Sequence, residues 1–221
     1  MVQGLRATYD RALAVIQEDI LRLGTRVTDA ISNALESLQR RDQVLAQAII
    51  EADDETNVLR FKIEEACLAL IATQQPTAKD LRAVMAAMSI VVDLERMADH
   101  AVGIAKTVIL MGDEPLLKPL IDVPRMAKLA KDMLHDVLKA YVNRDAERAR
   151  DIARRDDEMD QLYRAVYDEL VEIMADKPGN VERATYLMWC AHNLERIGDR
   201  VTNIAERVVF VSTGDMQELN V

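Results

Sequence analysis

The chain has 221 residues, of which 50% are apolar and 30% are charged, and its length allows a sizeable core in one or two domains. A net charge of −10 argues against nucleic acid or an anionic membrane as the partner. No apolar stretch approaches the roughly 20 residues that cross a bilayer, so we expect a cytosolic protein that reaches membranes only through its partners. The two cysteines are expected to be buried thiols.

The first half predicts three helices. Apolar residues recur every three or four positions over residues 9–40, which is typical of one long amphipathic helix. Asp42 is expected to cap a second helix that ends before Gln74-Gln75-Pro76. Thr77 is expected to cap a third helix, which stops at a linker over Gly112–Pro119.

The second half repeats this pattern. We predict helices over residues 123–143, 145–176 and 181–210, with Pro178 and Gly179 breaking the chain before the last one. The final ten residues are expected to fray. The scarcity of glycine and proline between long periodic segments therefore predicts an all-α fold.

An overlay of the chain on itself shows a duplication. A shift of 103 places Asp53-Asp54-Glu55 on Asp156-Asp157-Glu158, and a shift of 100 places Leu94-Glu95-Arg96 on Leu194-Glu195-Arg196. The three-residue loss falls at the turn between helices, where length changes are tolerated. We therefore predict two tandem three-helix bundles, residues 1–112 and 113–221, related by pseudo-two-fold symmetry.

The last helix of each repeat carries an acidic pair. Glu95 and Asp99 lie about 40° apart on a helix and interrupt an apolar face, and Glu195 and Asp199 do the same in the second repeat. A single pair could simply form ion pairs with neighbouring arginines or face water at the edge of a scaffold. Its recurrence in the same apolar frame favours a functional surface.

The middle helix of each repeat adds further oxygen ligands. Asp53 and Asn57 follow one another by one turn, and Asp156 and Asp160 match them. Carboxylates suit hard or borderline cations, so iron, zinc, manganese and magnesium are all admissible.

Enzymatic signatures are scarce, so we predict that the chain is not an enzyme and assign no catalytic or cofactor-binding residue. The sequence contains no Glu-x-x-His of the di-iron type, and no histidine or lysine is expected beside the acids. A carboxylate-metal-dependent hydrolase or oxidase is the alternative hypothesis. We expect Trp189 in the core, and Asp93 and His100 on a solvated arc of the third helix.

Three segments resemble the PhoU family of phosphate-signalling regulators: DLERMADHAVGIAK at 93–106, NLERIGDRVTNIAE at 193–206, and the turn ATQQPTAKDLRAVM at 72–85. The resemblance implies a cytosolic accessory protein of phosphate uptake. Such a protein contacts the transporter's ATPase subunit and a sensor histidine kinase, and represses phosphate-starvation genes.

The resemblance also implies that metal ions bind to Glu95, Asp99, Glu195 and Asp199, with Asp53 and Asp156 contributing from the middle helices. The first repeat departs from the fuller motif, because it has Gly103 and Lys106 where the second has Asn203 and Glu206. We therefore expect a weaker first site. The third helix is apolar on two sides, which suggests a homodimer.

Overall fold

The computed structural model describes residues 2–219, and over this range it contains helices and no strand. The all-α prediction is therefore confirmed. The helices are α1 (Val2–Arg40), α2 (Gln43–Gln74), α3 (Ala78–Met111), α4 (Asp122–Asn143), α5 (Ala146–Ala153), α6 (Asp156–Asp176) and α7 (Val181–Thr213), with a short 3-10 turn at Pro178–Asn180 before α7.

The second helix of each half, α2 or α5, begins from an equivalent turn. The Asp42 carboxylate accepts the backbone N–H of Leu45 at 2.9 Å, and Asp145 accepts that of Arg148 at the same distance. The residue before each aspartate has a left-handed backbone, with φ of 56° and 53°. The Asp42 cap confirms the prediction, and Asp145 is a cap that was not predicted. Thr77 stands at the start of α3 without a side-chain cap bond, so that detail was wrong.

The predicted helix over residues 145–176 is two helices. The Arg155 amide donates to the carbonyl of Ile152, three residues back, which tightens the backbone into a turn. The Arg155 side chain reaches Asp136 on α4 at 3.3 Å. Helix α6 then starts with three acids in its first turn, where the helix dipole favours negative charge.

Helices α3 and α7 pack against each other across the pseudo-two-fold axis. His100 Nδ1 lies 3.0 Å from Asn193 Oδ1, and the equivalent residues Arg200 and Asp93 have an N–O distance of 3.6 Å. The same pair of positions thus makes contact twice, once with each repeat supplying each member. This supports the predicted symmetry. The expected solvated arc was wrong for Asp93 and His100, because α7 covers them.

The apolar core of the described residues is one cluster with members from both halves, including Leu94 and Leu194. The boundary between residues 1–112 and 113–221 stays a prediction. Cys67 and Cys190 are buried free thiols, as expected. No helix within residues 2–219 is both long and apolar enough to cross a lipid bilayer.

Two expectations for α7 and for the tail that follows it are wrong. Trp189 is 47% exposed rather than buried, and its ring centroid lies 5.7 Å from that of Tyr186. The tail does not simply fray, because the Leu219 amide donates to the Glu206 carboxylate at 3.0 Å and Leu219 packs on the core. Residues 220 and 221 lie outside the described range.

Candidate functional site: two acidic clusters

The structure brings the predicted site residues together in two groups, one per repeat. The first acidic cluster lies on α2 and α3, and the second lies on α6 and α7. The first acidic cluster is Asp53, Asn57, Glu95 and Asp99, and the second acidic cluster is Asp156, Asp160, Glu195 and Asp199.

In the first acidic cluster a half-buried arginine neutralises part of the charge. Arg60 Nη1 donates to Glu95 Oε1 at 3.1 Å, and Arg60 Nε donates to Glu64 at 3.1 Å. The Asn57 amide donates a hydrogen bond to Asp53 Oδ2 at 3.2 Å, so Asn57 is a hydrogen-bond partner of this carboxylate. Sequence reasoning missed Arg60, although its position seven residues after Asp53 places it two turns along the same helix face.

The pKa values of the carboxyl groups are still raised by burial and by the remaining negative charge. Burial raises the pKa of Glu95, the charge of Asp99 raises it further, and Arg60 opposes both. The pKa of Asp53 is also raised by burial and by Asp99, against the opposing charge of Lys106. The first acidic cluster therefore contains its own cations.

In the second acidic cluster, nearby positive charge offsets less of the carboxylate repulsion that acts on the motif glutamate. Asp156 is 3% exposed and Arg196 reaches Asp199 at 2.7 Å. Burial, and then the charge of Asp199, raise the pKa of Glu195 to about 7, with Asp160 adding to the effect. Burial and Asp199 likewise raise the pKa of Asp160. Repulsion between these carboxylates thus adds to the effect of burial at both Glu195 and Asp160.

A histidine also borders the second acidic cluster. His192 Nδ1 lies 3.3 Å from Glu195 Oε2, and the Tyr163 ring centroid lies 5.9 Å from that of His192. The expectation that no histidine or lysine lies beside the acids was therefore wrong, both here and at Lys106. The His-x-x-Glu spacing on α7 was a signal available in the sequence.

Close packing of α6 on α7 depends on Gly198. A Cβ at this position would lie 3.0 Å from Asp156 Oδ1 and 3.1 Å from Met159 Cγ. The absence of a side chain thus lets the first turn of α6 approach α7. Asp156 is held against the helix that carries Glu195 and Asp199.

The Glu-Arg-x-x-Asp motif alone does not make such a site. Glu147 and Asp151 on α5 also belong to a Glu-Arg-x-x-Asp segment, but their side chains are 88% and 52% exposed. They pair locally with Arg150 and Arg154. What distinguishes the two clusters is the partial burial of Glu95 and Glu195 together with acids from a second helix.

The donor atoms of the two clusters suit a cation, but the side chains are not arranged as a cation site in this structure. Their donors are carboxylate and amide oxygens, which hard and borderline cations prefer. Burial and then repulsion between carboxylates raise the pKa values of Glu95 and Glu195, and a cation would offset that repulsion. Among residues 2–219, however, no three His, Cys, Asp or Glu side chains are arranged so as to hold a metal ion.

The Glu195→Gln substitution should stabilise the chelator-treated protein at high pH. A carboxyl group whose pKa is raised from 4.5 to about 7 on folding favours the folded state when protonated, and this contribution is lost as the pH rises through about 7. Allowing for solvent screening, the variant should be about 1–2 kcal/mol more stable than the native chain at pH 8.

Urea denaturation at pH 8 and pH 4.5 measures this effect. The difference between the variant and the native chain should shrink at the lower pH, because Glu195 is then protonated in the folded chain and already half-protonated in the unfolded chain. The same substitution at the exposed Glu147 serves as the control and should change stability little at either pH. An equal shift of the Glu195 variant at both pH values would contradict the electrostatic explanation.

The fold and the site define an internally duplicated, all-helical protein with one acidic cluster in each half. The family model described as "PhoU domain" matches residues 20–108 and again residues 123–208. The chain belongs to the PhoU family, as the sequence resemblance predicted.

Relatives agree with this assignment over nearly their whole length. The chain is 35% identical to the phosphate-specific transport system accessory protein PhoU homolog of Clostridium acetobutylicum, covering 97% of this chain and 99% of that protein. It is 37% identical to the protein of the same name from Caulobacter vibrioides, covering 94% and 91%.

Solved structures extend the match to the fold. The phosphate transport system regulatory protein PhoU from Streptococcus pneumoniae superposes with a TM-score of 0.88 at 35% identity, covering 95% of this chain and 99% of that one. PhoU from Pseudomonas aeruginosa gives a TM-score of 0.89 at 30% identity, covering 94% and 100%. The family comprises accessory and regulatory proteins of phosphate transport, so the prediction that the chain is not an enzyme is confirmed.

Proposed function

We propose that this chain is a cytoplasmic adaptor that links the ATPase subunit of a phosphate transporter to a sensor histidine kinase and thereby represses phosphate-starvation genes. The observation that carries the proposal is family membership over both repeats, with an acidic cluster present in each. The adaptor acts by docking, so its surface rather than a reaction determines the output.

Cation binding is part of this proposal. In the second repeat Glu195, Asp199, Asp156 and Asp160 would hold the ion, and in the first repeat Glu95, Asp99, Asp53 and Asn57 are the matching set. A bound divalent or trivalent ion, whether iron, zinc, manganese or magnesium, supplies positive charge that offsets repulsion among the carboxylates. The carboxylates would have to turn toward one another, because they are not arranged as ligands in this structure.

The proposed coupling between cation and partner follows from charge. Carboxylates that repel one another favour spread side chains, whereas neutralised carboxylates can hold α6 and α7 in one arrangement. A partner that recognises this arrangement binds the cation-loaded protein more tightly by a coupling free energy.

A homodimer completes the proposal. Leu110 and Trp189 are 60% and 47% exposed, and Leu110 lines the same cleft as Tyr186, whose ring contacts Trp189. Exposed apolar side chains of this kind are often covered in an assembly. Light scattering of the purified protein measures the mass directly, and a monomer at high concentration would contradict the dimer.

Gene expression tests the regulatory role. Deleting the gene in its source organism should raise expression of the phosphate-uptake genes in phosphate-rich medium, and the native gene should restore repression. A Glu195→Gln, Asp199→Asn gene should fail to restore it, whereas a Glu147→Gln, Asp151→Asn gene should succeed at equal protein level. Unchanged expression after the deletion would contradict the proposed function.

A further inference from the structure

We infer that a cavity in the first repeat binds a free aliphatic amino acid. The cavity lies between α1, α2 and α3, and its volume of about 360 Å³ falls in the usual range of ligand pockets. We call it the α1–α2 cavity, and its wall includes Arg26, Asp29, Leu45, Ile49, Asp53 and Thr56. Of these only Asp53 belongs to the first acidic cluster, so the inference does not depend on the cation binding proposed above.

Most of the wall of the α1–α2 cavity is apolar. Leu45 and Ile49 contribute branched side chains from α2, and Val102 contributes one from α3. Ala48 and Ala52 are exposed and too short to cover the opening, so the cavity is accessible from solvent. Branched apolar walls beside an open mouth suit a ligand with a small aliphatic body.

Thr56 is a buried residue of the cavity wall, only 5% exposed. Within residues 2–219 its hydroxyl group has no hydrogen-bond partner. Other helical threonines, such as Thr28 and Thr107, donate to the carbonyl oxygen four residues back, at 3.0 and 2.8 Å. The corresponding carbonyl of Ala52 instead lies 3.5 Å from Nη2 of Arg26. Because a buried polar group without a partner costs free energy, this hydroxyl group is available to a ligand.

Arg26 supplies a second unpaired donor at the same end of the cavity. Its Nη2 atom lies 2.7 Å from Oε2 of Glu55, but its Nε atom is buried and has no hydrogen-bond partner in the described part of the chain. The contact with the Ala52 carbonyl places the guanidinium beside the helical turn that ends at Thr56. Both free groups donate hydrogen bonds, and a carboxylate is an acceptor that a guanidinium binds strongly.

Two carboxylates line the same cavity, Asp29 on α1 and Asp53 on α2. Neither forms an ion pair with another of the described residues. They would repel a ligand that is only anionic, and Arg26 would repel one that is only cationic. A zwitterion satisfies both conditions, with its carboxylate at Arg26 and Thr56 and its ammonium group at the aspartates. Together with the apolar walls, these charges define an aliphatic amino acid.

The second repeat fills the equivalent space with its own side chains. The shift of 103 places Arg155 where the first repeat has Ala52, and Asp136 where it has Asn33, another residue of the cavity wall. Arg155 reaches Asp136 at 3.3 Å and so connects the start of α6 to α4. The alanine thus leaves open in the first repeat a space that an arginine occupies in the second.

The two unpaired donors have no counterpart in the second repeat. Leu129 corresponds to Arg26 and Met159 to Thr56, and these apolar residues are 6% and 0% exposed. Buried polar groups are costly unless they are paired, so their presence in only one of two equivalent places indicates a role that the second repeat does not share. Ligand binding supplies that role.

Titration with L-leucine tests the inference. Chelator-treated native chain is followed by heteronuclear NMR, and we expect saturable shifts centred on the backbone amides of Ala52 and Thr56. Two analogues separate the charges, since leucinamide lacks the carboxylate and 4-methylpentanoate lacks the ammonium group. Each should bind at least about tenfold more weakly than leucine, because each leaves a charged group of the cavity without its partner.

Two substitutions locate the site. Thr56→Val removes the hydroxyl group at nearly constant volume and should weaken leucine binding by about 3- to 10-fold. Ala52→Arg introduces the residue of the second repeat into the opening and should abolish binding. Ala69→Arg makes the same change at an exposed position of α2 outside the cavity, so it is the control and should leave binding unchanged.

The outcomes are distinct from those that test the proposed function. No shifts with leucine up to its solubility limit, or binding that Thr56→Val and Ala52→Arg leave unchanged, would overturn the inference and leave cation binding in place. A chain that carries Glu195→Gln and Asp199→Asn should bind leucine as the native chain does. Circular dichroism of each variant verifies that the helices are retained.

Discussion

Replacing Glu195 and Asp199 together by Gln and Asn is expected to abolish tight cation binding while leaving the helical content unchanged. Both side chains lie on α7, with Glu195 19% and Asp199 26% exposed, and the amides keep their size but lose the negative charge that a cation requires. Elemental mass spectrometry of the purified proteins should find metal in the native chain and a loss of at least about tenfold in the variant.

A matched control comes from α5. Glu147 and Asp151 have the same spacing and the same intervening arginine, but they are exposed and lack acids from a second helix. Replacing them by Gln and Asn should leave the metal content as in the native chain. Equal metal content in all three proteins would show that the second acidic cluster is not the ligand set.

Truncating Leu94 to Ala should lower the free energy of unfolding by about 2–5 kcal/mol. Leu94 is fully buried in the core that the two repeats share, so the change removes apolar contacts and leaves a cavity. The same truncation at the equivalent Leu194, which is 1% exposed, should cost a similar amount. Urea denaturation followed by circular dichroism measures both.

The control for this truncation lies on α2. Leu68 is 56% exposed, so Leu68→Ala should change the free energy of unfolding by no more than about 0.5 kcal/mol. If the buried and exposed truncations had equal effects, the shared core described for α3 and α7 would be contradicted.

Helices and repeats were predictable because their signals are local. Apolar periodicity gave the long helices, and Asp42 and Asp145 marked the turns that begin α2 and α5. The break before α6 was not predictable in the same way. It depends on the contact of Arg155 with Asp136 on a different helix, which periodicity does not report.

Side-chain environments were predictable only in part. The acidic residues were identified from their recurrence. The partial burial of Asp93 and His100, however, depends on α7, which lies about 100 residues further along the chain. Trp189 looks like a core residue by type, but it is 47% exposed and its ring contacts that of Tyr186. Arg60 could have been found by comparing the middle helices position by position, since Tyr163 stands in its place.

The metal ligands and the partner proteins remain predictions. Carboxylate spacing predicts which side chains share a helix face, whereas ligation depends on rotations of Asp156, Asp160, Glu195 and Asp199 that the spacing does not encode. Docking depends on a partner surface that this chain does not contain.

The most direct test of the central claim is the affinity of the purified chain for the ATPase subunit of its phosphate transporter, measured by interferometry with Mn²⁺ and with chelator. We expect binding about tenfold or more tighter with Mn²⁺, and no effect of Mn²⁺ on the chain carrying Glu195→Gln and Asp199→Asn, corresponding to a coupling free energy in the range of known allosteric systems. Equal affinity of the native chain with and without the ion would contradict a cation-dependent adaptor.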